Sequence, residues 1–221
     1  MKKAVIIDFD FAALDGAQIL FDSTRDFLKN LDNIPFDEII EARYFACREA
    51  IEGTTAYFQK VKTKKTAAKG ARDIITAFSK AVLAVAPSAF TNGFNAFVKA
   101  LSDKGVELKL LTRIPEKQFA AVFGGITSET VKPVREVSQA YGGPDNIGYL
   151  RVIKHEGLTP RSTIIVTGSA LGVRNAMNIG ATAVTIPYSH VAYQDFTGAN
   201  ATIKEFSAKT AQKVLALLRV E

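Results

Sequence analysis

The stretch KKAVIIDFDFAALDG, Lys2 to Gly16, decides how this chain is read. A short apolar run, Ala4 to Ile7, ends in Asp8, and further aspartates follow at Asp10 and Asp15. A run that is continuously apolar, rather than alternating, is the pattern of a strand buried on both faces of a parallel sheet. Asp8 and Asp10 then stand side by side at its tip. Like charges that close call for a cation or a shared proton.

The rest of the chain supplies a sheet for that strand. From about Gly16 to Ser88 the periodicity is helical, with Leu20, Phe27, Leu28 and Leu31 on one stripe and Ile75, Phe78, Val82 and Val85 on another. Pro35 and Gly53 punctuate this block and Pro87 closes it. Beyond Pro87 strands alternate with helices. Phe94, Phe97, Val98 and Leu101 mark a helix ending before Gly105, and VELKLLT is a strand ending at Thr112. A helix from about Pro115 to Phe123, a strand near PVREVS and a helix over PDNIGYLRVIKHEGL follow. STIIVTG is a further strand, Val173, Ala176, Met177 and Gly180 mark the helix behind it, and ATAVTIP is the last strand. Ala211, Val214, Leu215 and Leu218 face one way on a closing helix. This alternation predicts an α/β fold, a doubly wound parallel sheet, with an inserted α-helical cap. The expected domains are a core of residues 1–15 and 89–221 and a helical cap of residues 16–88. The cap would lie over the sheet's carboxyl edge, where such folds bind ligands.

Composition narrows the function classes. The 221 residues, 48% hydrophobic and 23% charged, are those of an ordinary globular protein able to bury a full core. No apolar stretch approaches the roughly 20 residues needed to cross a bilayer. The run after the two leading lysines meets an aspartate after four residues, too soon for a secretory signal. No membrane partner is expected, and the expected compartment is the cytoplasm. Cys47, the only cysteine, excludes an internal disulfide and fits a reducing compartment. With Ile40, Tyr44 and Ile51 it falls on one helical stripe and reads as a buried core thiol. Much of the net charge of +6 lies in FQKVKTKKTAAKGARD, Phe58 to Asp73. Its lysines are not interleaved with aromatics and no nucleic-acid motif accompanies them, so it reads as a solvated face rather than a nucleic-acid site.

Three strand tips carry the chemistry: Asp8 with Asp10, Thr112, and VTGS at Val166 to Ser169. A carboxylate at a strand tip can be a nucleophile and a neighbouring one a general acid and base. A hydroxyl at the next tip can hold a phosphate oxygen. This combination resembles the haloacid dehalogenase-like superfamily, mostly magnesium-dependent phosphatases. VIIDFDFAALD matches the first family motif, an apolar strand followed by Asp-x-Asp-x-x-x-x-Asp. FVKALSDKGVELKLLT matches the second, and IIVTGSALGVRNAMNIGATAVTIP resembles the final strand, loop and helix. The resemblance covers nearly the whole chain. It implies that Asp8 is the nucleophile forming an aspartyl-phosphate, Asp10 the acid/base, and Thr112 a contact to the transferring phosphoryl group. Asp8 and the backbone carbonyl of Asp10 would bind magnesium. Arg113, Phe11 at the cap hinge and Ser169, the N-cap of the last motif, would line the site of a small phosphorylated or anionic molecule.

The sequence departs from the family pattern at three places. Phe11 and Ala12 stand where Gly and Thr are common. Gly168-Ser169 stands where the family has a magnesium-binding carboxylate, and no Asp or Glu occurs between Ser162 and Gln194. The family's lysine has no counterpart in AYGGPDN, and Lys132-Pro133 precedes the third strand. Magnesium is usually held by one or two carboxylates in near-octahedral geometry, so weak binding is expected. Gly168→Asp is expected to restore it, and Asp145 and Asp195 are the nearest loop acids that could complete the site. Without a cation, each close phosphate–aspartate pair costs roughly 4 kcal/mol at an effective dielectric of 20. That is about a thousandfold per pair, of which Arg113 could offset one charge. Two functions follow: a slow phosphomonoester phosphatase acting through Asp8, or a catalytically inactive protein of the same fold binding an anion or a partner. Metal-free dehalogenation ranks last, since that subgroup keeps an acid in its last motif and has no aspartate at the Asp10 position. His155 is expected in solvent, and His190 on the ligand side of the last strand.

Overall fold

The computed structural model describes residues 3–31, 34–46, 48–90, 93–136, 141–191 and 193–218. Strand β1 (Ala4–Asp8) is buried along its whole length. Its side chains alternate between two apolar layers: Val5 and Ile7 enter one cluster, Ala4 and Ile6 the other. Such two-sided burial explains why the run is apolar without a break. The partners of β1 are β2 (Glu107–Thr112) and, on its other side, β4 (Thr163–Thr167). With β3 (Val131–Arg135), β5 (Thr182–Thr185) and β6 (Ala201–Thr202), the described residues form a sheet in the order β3-β2-β1-β4-β5-β6. Every pairing is parallel. The chain winds away from β1 in both directions, which makes its carboxyl end the switch point where doubly wound folds open a crevice.

The doubly wound sheet is therefore as the alternation predicts, with one strand more. The two residues of β6 are too few to show any periodicity. Pro133 is tolerated within β3 because β3 is an edge strand. Helices α5 (Phe94–Ser102) and α9 (Ala208–Leu217) cover the layer of Val5 and Ile7. Helices α7 (Asn146–His155) and α8 (Ala170–Asn178) cover the other through Tyr149, Val152, Ile153, Val173 and Ala176. The expected helix after Pro115 is a 3₁₀ turn at Glu116–Gln118 running into the short α6 (Phe119–Phe123).

Between β1 and α5 lie α1 (Gly16–Lys29), α2 (Glu38–Tyr44), α3 (Ala50–Lys60) and α4 (Ala67–Ala89). Their buried residues, among them Leu20, Leu28, Tyr57, Ile74 and Phe78, join the apolar cluster of the first sheet face. Phe9 and Phe11 bridge the two regions. The Phe9 ring lies 5.0 Å from Phe123 and 5.7 Å from Phe94, and the Phe11 ring lies 5.5 Å from Phe78.

Some helical expectations need correction. The buried stripe of α4 is Ala71, Ile74, Phe78, Val82, Ala86 and Ala89, while Val85 is exposed. The stripe lies one residue away from the expected Ile75 and Val85, because small alanines also count as core when backbones approach closely. The helix runs on through Pro87, which is exposed in its last turn, since burial of Ala86 and Ala89 holds that turn in place. Helix α2 ends at Tyr44, so Ile40, Tyr44 and Ile51 share no stripe, and Ile51 is exposed. Cys47 lies outside the described residues. Met177 is exposed too. The basic run spans the end of α3, the α3–α4 turn and the start of α4. There Lys69 pairs with Asp73 at 2.6 Å on the surface, and Lys60 lies over the Tyr44 ring. No single helix among the described residues is long and apolar enough to cross a membrane.

Candidate active site

β1 passes directly into one turn of π-helix, Phe9–Ala13, and this wide turn lets Asp8 and Asp10 address the same region. Asp10 Oδ1 accepts a hydrogen bond from Thr112 Oγ1 at 2.6 Å, and Oδ2 accepts one from the Arg113 backbone N–H at 2.8 Å. The tip of β2 thus clasps the second aspartate. Asp8 Oδ2 accepts from Thr167 Oγ1 at 3.0 Å. Strand register explains that contact: Ile7 pairs with Val166, which sets Asp8 beside Thr167. All of this is covered, for Asp8, Asp10 and Thr112 are at most 2% exposed.

Electrostatics follow from that cover. Burial, and next the neighbouring Asp10 charge, push Asp8 well above the usual carboxylate range, against the Thr167 hydrogen bond and the charge of Arg113. Burial also raises Asp10 to about 6, while the Arg113 charge and the Thr112 and Arg113 hydrogen bonds hold it down. Glu136, just beyond β3, contributes a third negative charge that raises both. Its backbone N–H donates to the Thr112 carbonyl at 2.6 Å, and its side chain is buried at the wall of a cavity of about 440 Å³ shared with Arg135, Arg151 and His155. Tyr149, fully buried on α7, has its own pKa raised, first by burial and then by the charge of Asp8.

Arg113 is the cation of the cluster. It is 6% exposed, and its guanidinium carbon stands 5.4 Å from the centroid of the Phe78 ring on α4. Phe11 is likewise buried against Phe78. Ser169 caps α8, accepting from the Gly172 N–H at 2.9 Å.

Gly168 and Gly143 are both held by close approach. An ideal Cβ on Gly168 would lie 1.9 Å from the Phe11 carbonyl oxygen. Gly143, at φ +127°, would place a Cβ 2.9 Å from Ser169 Oγ and 3.3 Å from Asp8 Oδ2. Gly143 belongs to AYGGPDN, the segment where the family's lysine has no counterpart, and it lies directly against the first aspartate.

These residues do not fit magnesium. The Asp10 carbonyl, the backbone ligand implied by the resemblance, faces Gly16, where a Cβ would lie 2.2 Å from it. Gly168 brings no oxygen from a side chain. Among the described residues no three His, Cys, Asp or Glu side chains gather as a metal site. Asp145 caps α7, accepting from the Gly148 N–H at 2.6 Å, and exposed Asp195 accepts from the Thr197 N–H at 2.8 Å. Neither loop acid completes a site. Lys132 is exposed on β3. His155 is in solvent, as expected, and half-buried His190 lies 2.9 Å from Glu41 on α2.

Sequence reasoning gathered Asp8, Asp10, Thr112 and Arg113, and the fold brings these four together. It missed Thr167, Glu136, Tyr149 and Gly143. Thr167 was legible in principle, as the residue level with Asp8 on the neighbouring strand. Glu136 and Tyr149 carry no local signal.

No protein-family model matches the sequence, and no curated protein matches it. Solved structures do resemble the fold. One is CbbY from Rhodobacter sphaeroides in complex with xylulose-(1,5)bisphosphate, at 16% identity and TM-score 0.64 over 94% of this chain and 96% of that one. β-Phosphoglucomutase from Clostridium difficile superposes with TM-score 0.70 at 11% identity, covering 99% and 97% of the two chains. A predicted phosphoglycolate phosphatase from Haemophilus somnus 129pt matches at 12% identity and TM-score 0.61, over 96% and 98%. Together with the strand order and the acid pair at the tip of β1, these likenesses show that the chain has the haloacid dehalogenase-like fold.

Proposed function

We propose that this chain is a haloacid dehalogenase-like phosphomonoester phosphatase, slow in turnover, that acts through an aspartyl-phosphate on Asp8. The observation that carries the reading is the placement of Asp8 and Asp10 at the switch point of the sheet, with Thr112 bonded across from the next strand tip. The Asp8 carboxylate attacks phosphorus as the ester P–O bond breaks, and protonated Asp10 gives its proton to the leaving oxygen. Asp10 then takes a proton from the water that hydrolyses the acyl-phosphate, releasing phosphate and restoring Asp8. A pKa raised to about 6 suits Asp10 to both proton transfers. The same burial raises the Asp8 pKa and so disfavours the charged form that attacks, which slows turnover.

Residues 16–88 act as a cap that must move to admit a small phosphorylated molecule, because the acids beneath are buried. Thr112 and Arg113 contact its phosphoryl group, Phe11 sits at the hinge, and the Ser169 end of α8 lines the pocket. A cytoplasmic setting, expected from the single cysteine, belongs to this reading. A second reading, an anion-binding protein of the same fold without turnover, takes the engagement of both Asp10 oxygens as permanent. Assay of a generic aryl phosphate with the unmodified protein, Asp8→Asn and Asp10→Asn separates the two. Activity lost in Asp8→Asn supports the phosphatase. Absence of turnover from the unmodified protein, with phosphate still bound, supports the binder.

A further inference from the structure

We infer that this site recognises the phosphoryl group without a divalent cation, with Arg113 as its resident positive charge. The inference rests on the reading of the site as one for a phosphorylated molecule. Two of the three positions that would ligate a metal are closed by backbone, and at the third one carboxylate oxygen is already engaged. The place of a side chain at residue 168 is filled by the Phe11 carbonyl at 1.9 Å and the Ile186 carbonyl at 3.0 Å from an ideal Cβ. The Asp10 carbonyl is turned onto the first residue of α1. Asp8 Oδ2 accepts from Thr167 and lies under Gly143. Restoring a metal site would require moving backbone at two of these positions.

Arg113 meets the need that a metal would otherwise meet. Its backbone N–H is bonded to Asp10 and the preceding residue is Thr112, so its position follows the same strand tip that clasps the acids. A guanidinium keeps its charge at all working pH values and offers a planar fork of donors that matches two phosphate oxygens. Its aromatic contact, Phe78, belongs to α4, and Phe78 also packs on Phe11. The helix that packs on Phe11 therefore also covers one face of the cation. When α4 lifts, Phe78 leaves both Phe11 and Arg113, and one face of the guanidinium is presented. Phe78 thereby couples opening of the cap to exposure of the charge that draws the ligand in.

Calorimetric titration of the full chain with orthophosphate, once in EDTA and once in excess magnesium, tests this. The same affinity is expected in both. Arg113→Gln is expected to bind phosphate about tenfold more weakly or worse, with Arg113→Lys between, as loss of a charge-assisted bidentate contact implies. A magnesium-dependent gain of about tenfold, or full phosphate affinity in a folded Arg113→Gln protein, overturns the inference and leaves the phosphatase reading standing. Failure of the unmodified protein to bind phosphate in either buffer overturns both. Because Arg113→Gln uncovers buried acids and could fail to fold, manganese titration of the unmodified protein, followed by electron paramagnetic resonance, serves as a second arm. The free-ion signal is expected to persist. Its loss at stoichiometric manganese, abolished by Asp8→Asn, overturns the inference.

Discussion

The carbonyl oxygen of Phe11 occupies the place where a side chain on Gly168 would begin, 1.9 Å from an ideal Cβ. No non-bonded carbon sits so close to an oxygen, so residue 168 is glycine for want of space. This reverses what the sequence suggests for Gly168→Asp. Rather than gaining a magnesium ligand, that variant is expected to lose stability, and Gly168→Ala with it, by about 2 kcal/mol or more. Urea unfolding of both variants, with calorimetry in magnesium, measures the outcome. A Gly168→Asp protein as stable as the parent that binds magnesium tightly would refute it.

Asp8→Asn should remove activity and raise stability near neutral pH. The folded pKa of Asp8 lies above its ordinary 3.8, so its contribution to stability is present below that value and is lost as pH rises through the folded pKa. Asparagine carries no buried charge, and its amide oxygen can still accept from Thr167. The variant is therefore expected to unfold at higher urea than the parent at about pH 8, with the difference closing toward pH 4. Equal pH profiles would show that Asp8 is not strained by its burial.

Thr112→Val removes the hydroxyl that donates to Asp10 at 2.6 Å. A hydrogen bond to a charged group contributes about 1.5–3 kcal/mol, so that much stability is expected to be lost where Asp10 is ionised. The folded pKa of about 6 is already raised from 3.8, and losing this bond raises it further. The destabilisation should consequently grow as pH rises through about 6 and be smallest near pH 4. Urea midpoints across that interval decide it; a loss independent of pH would mean the bond matters only for packing.

Glu41 and His190 tie α2 to the turn after β5 at 2.9 Å, and burial raises Glu41 from 4.5 to about 6 in spite of the histidine. A raised carboxyl contributes stability below its unfolded pKa and loses it as pH climbs through the folded one. Glu41→Gln keeps a hydrogen-bonding partner for His190 without a buried charge. Between about pH 4.5 and 7 the parent is expected to lose about 2 kcal/mol relative to this variant. Parallel stability curves for the two proteins would contradict the assignment.

What the sequence alone determined is local. An apolar run without alternation made β1 a two-sided strand; Asp8 and VTGS were legible as tips because each ends such a run, and Thr112 because it ends the strand pattern VELKLLT. The i, i+3, i+4, i+7 stripe of α5 and the Ser169 cap of α8 depend only on neighbours within a turn or two, and both stand. Tertiary structure alone decided where those tips meet. The third acid at Glu136, the Phe78 ring against Arg113 and the carbonyl pressed against Gly168 each join segments far apart in the chain. Such distances are set by sheet pairing and helix packing, in which every residue's position depends on the whole core, so no window of sequence contains them. The glycine at 168 could be read as a missing ligand; only packing shows that the ligand's space has gone as well.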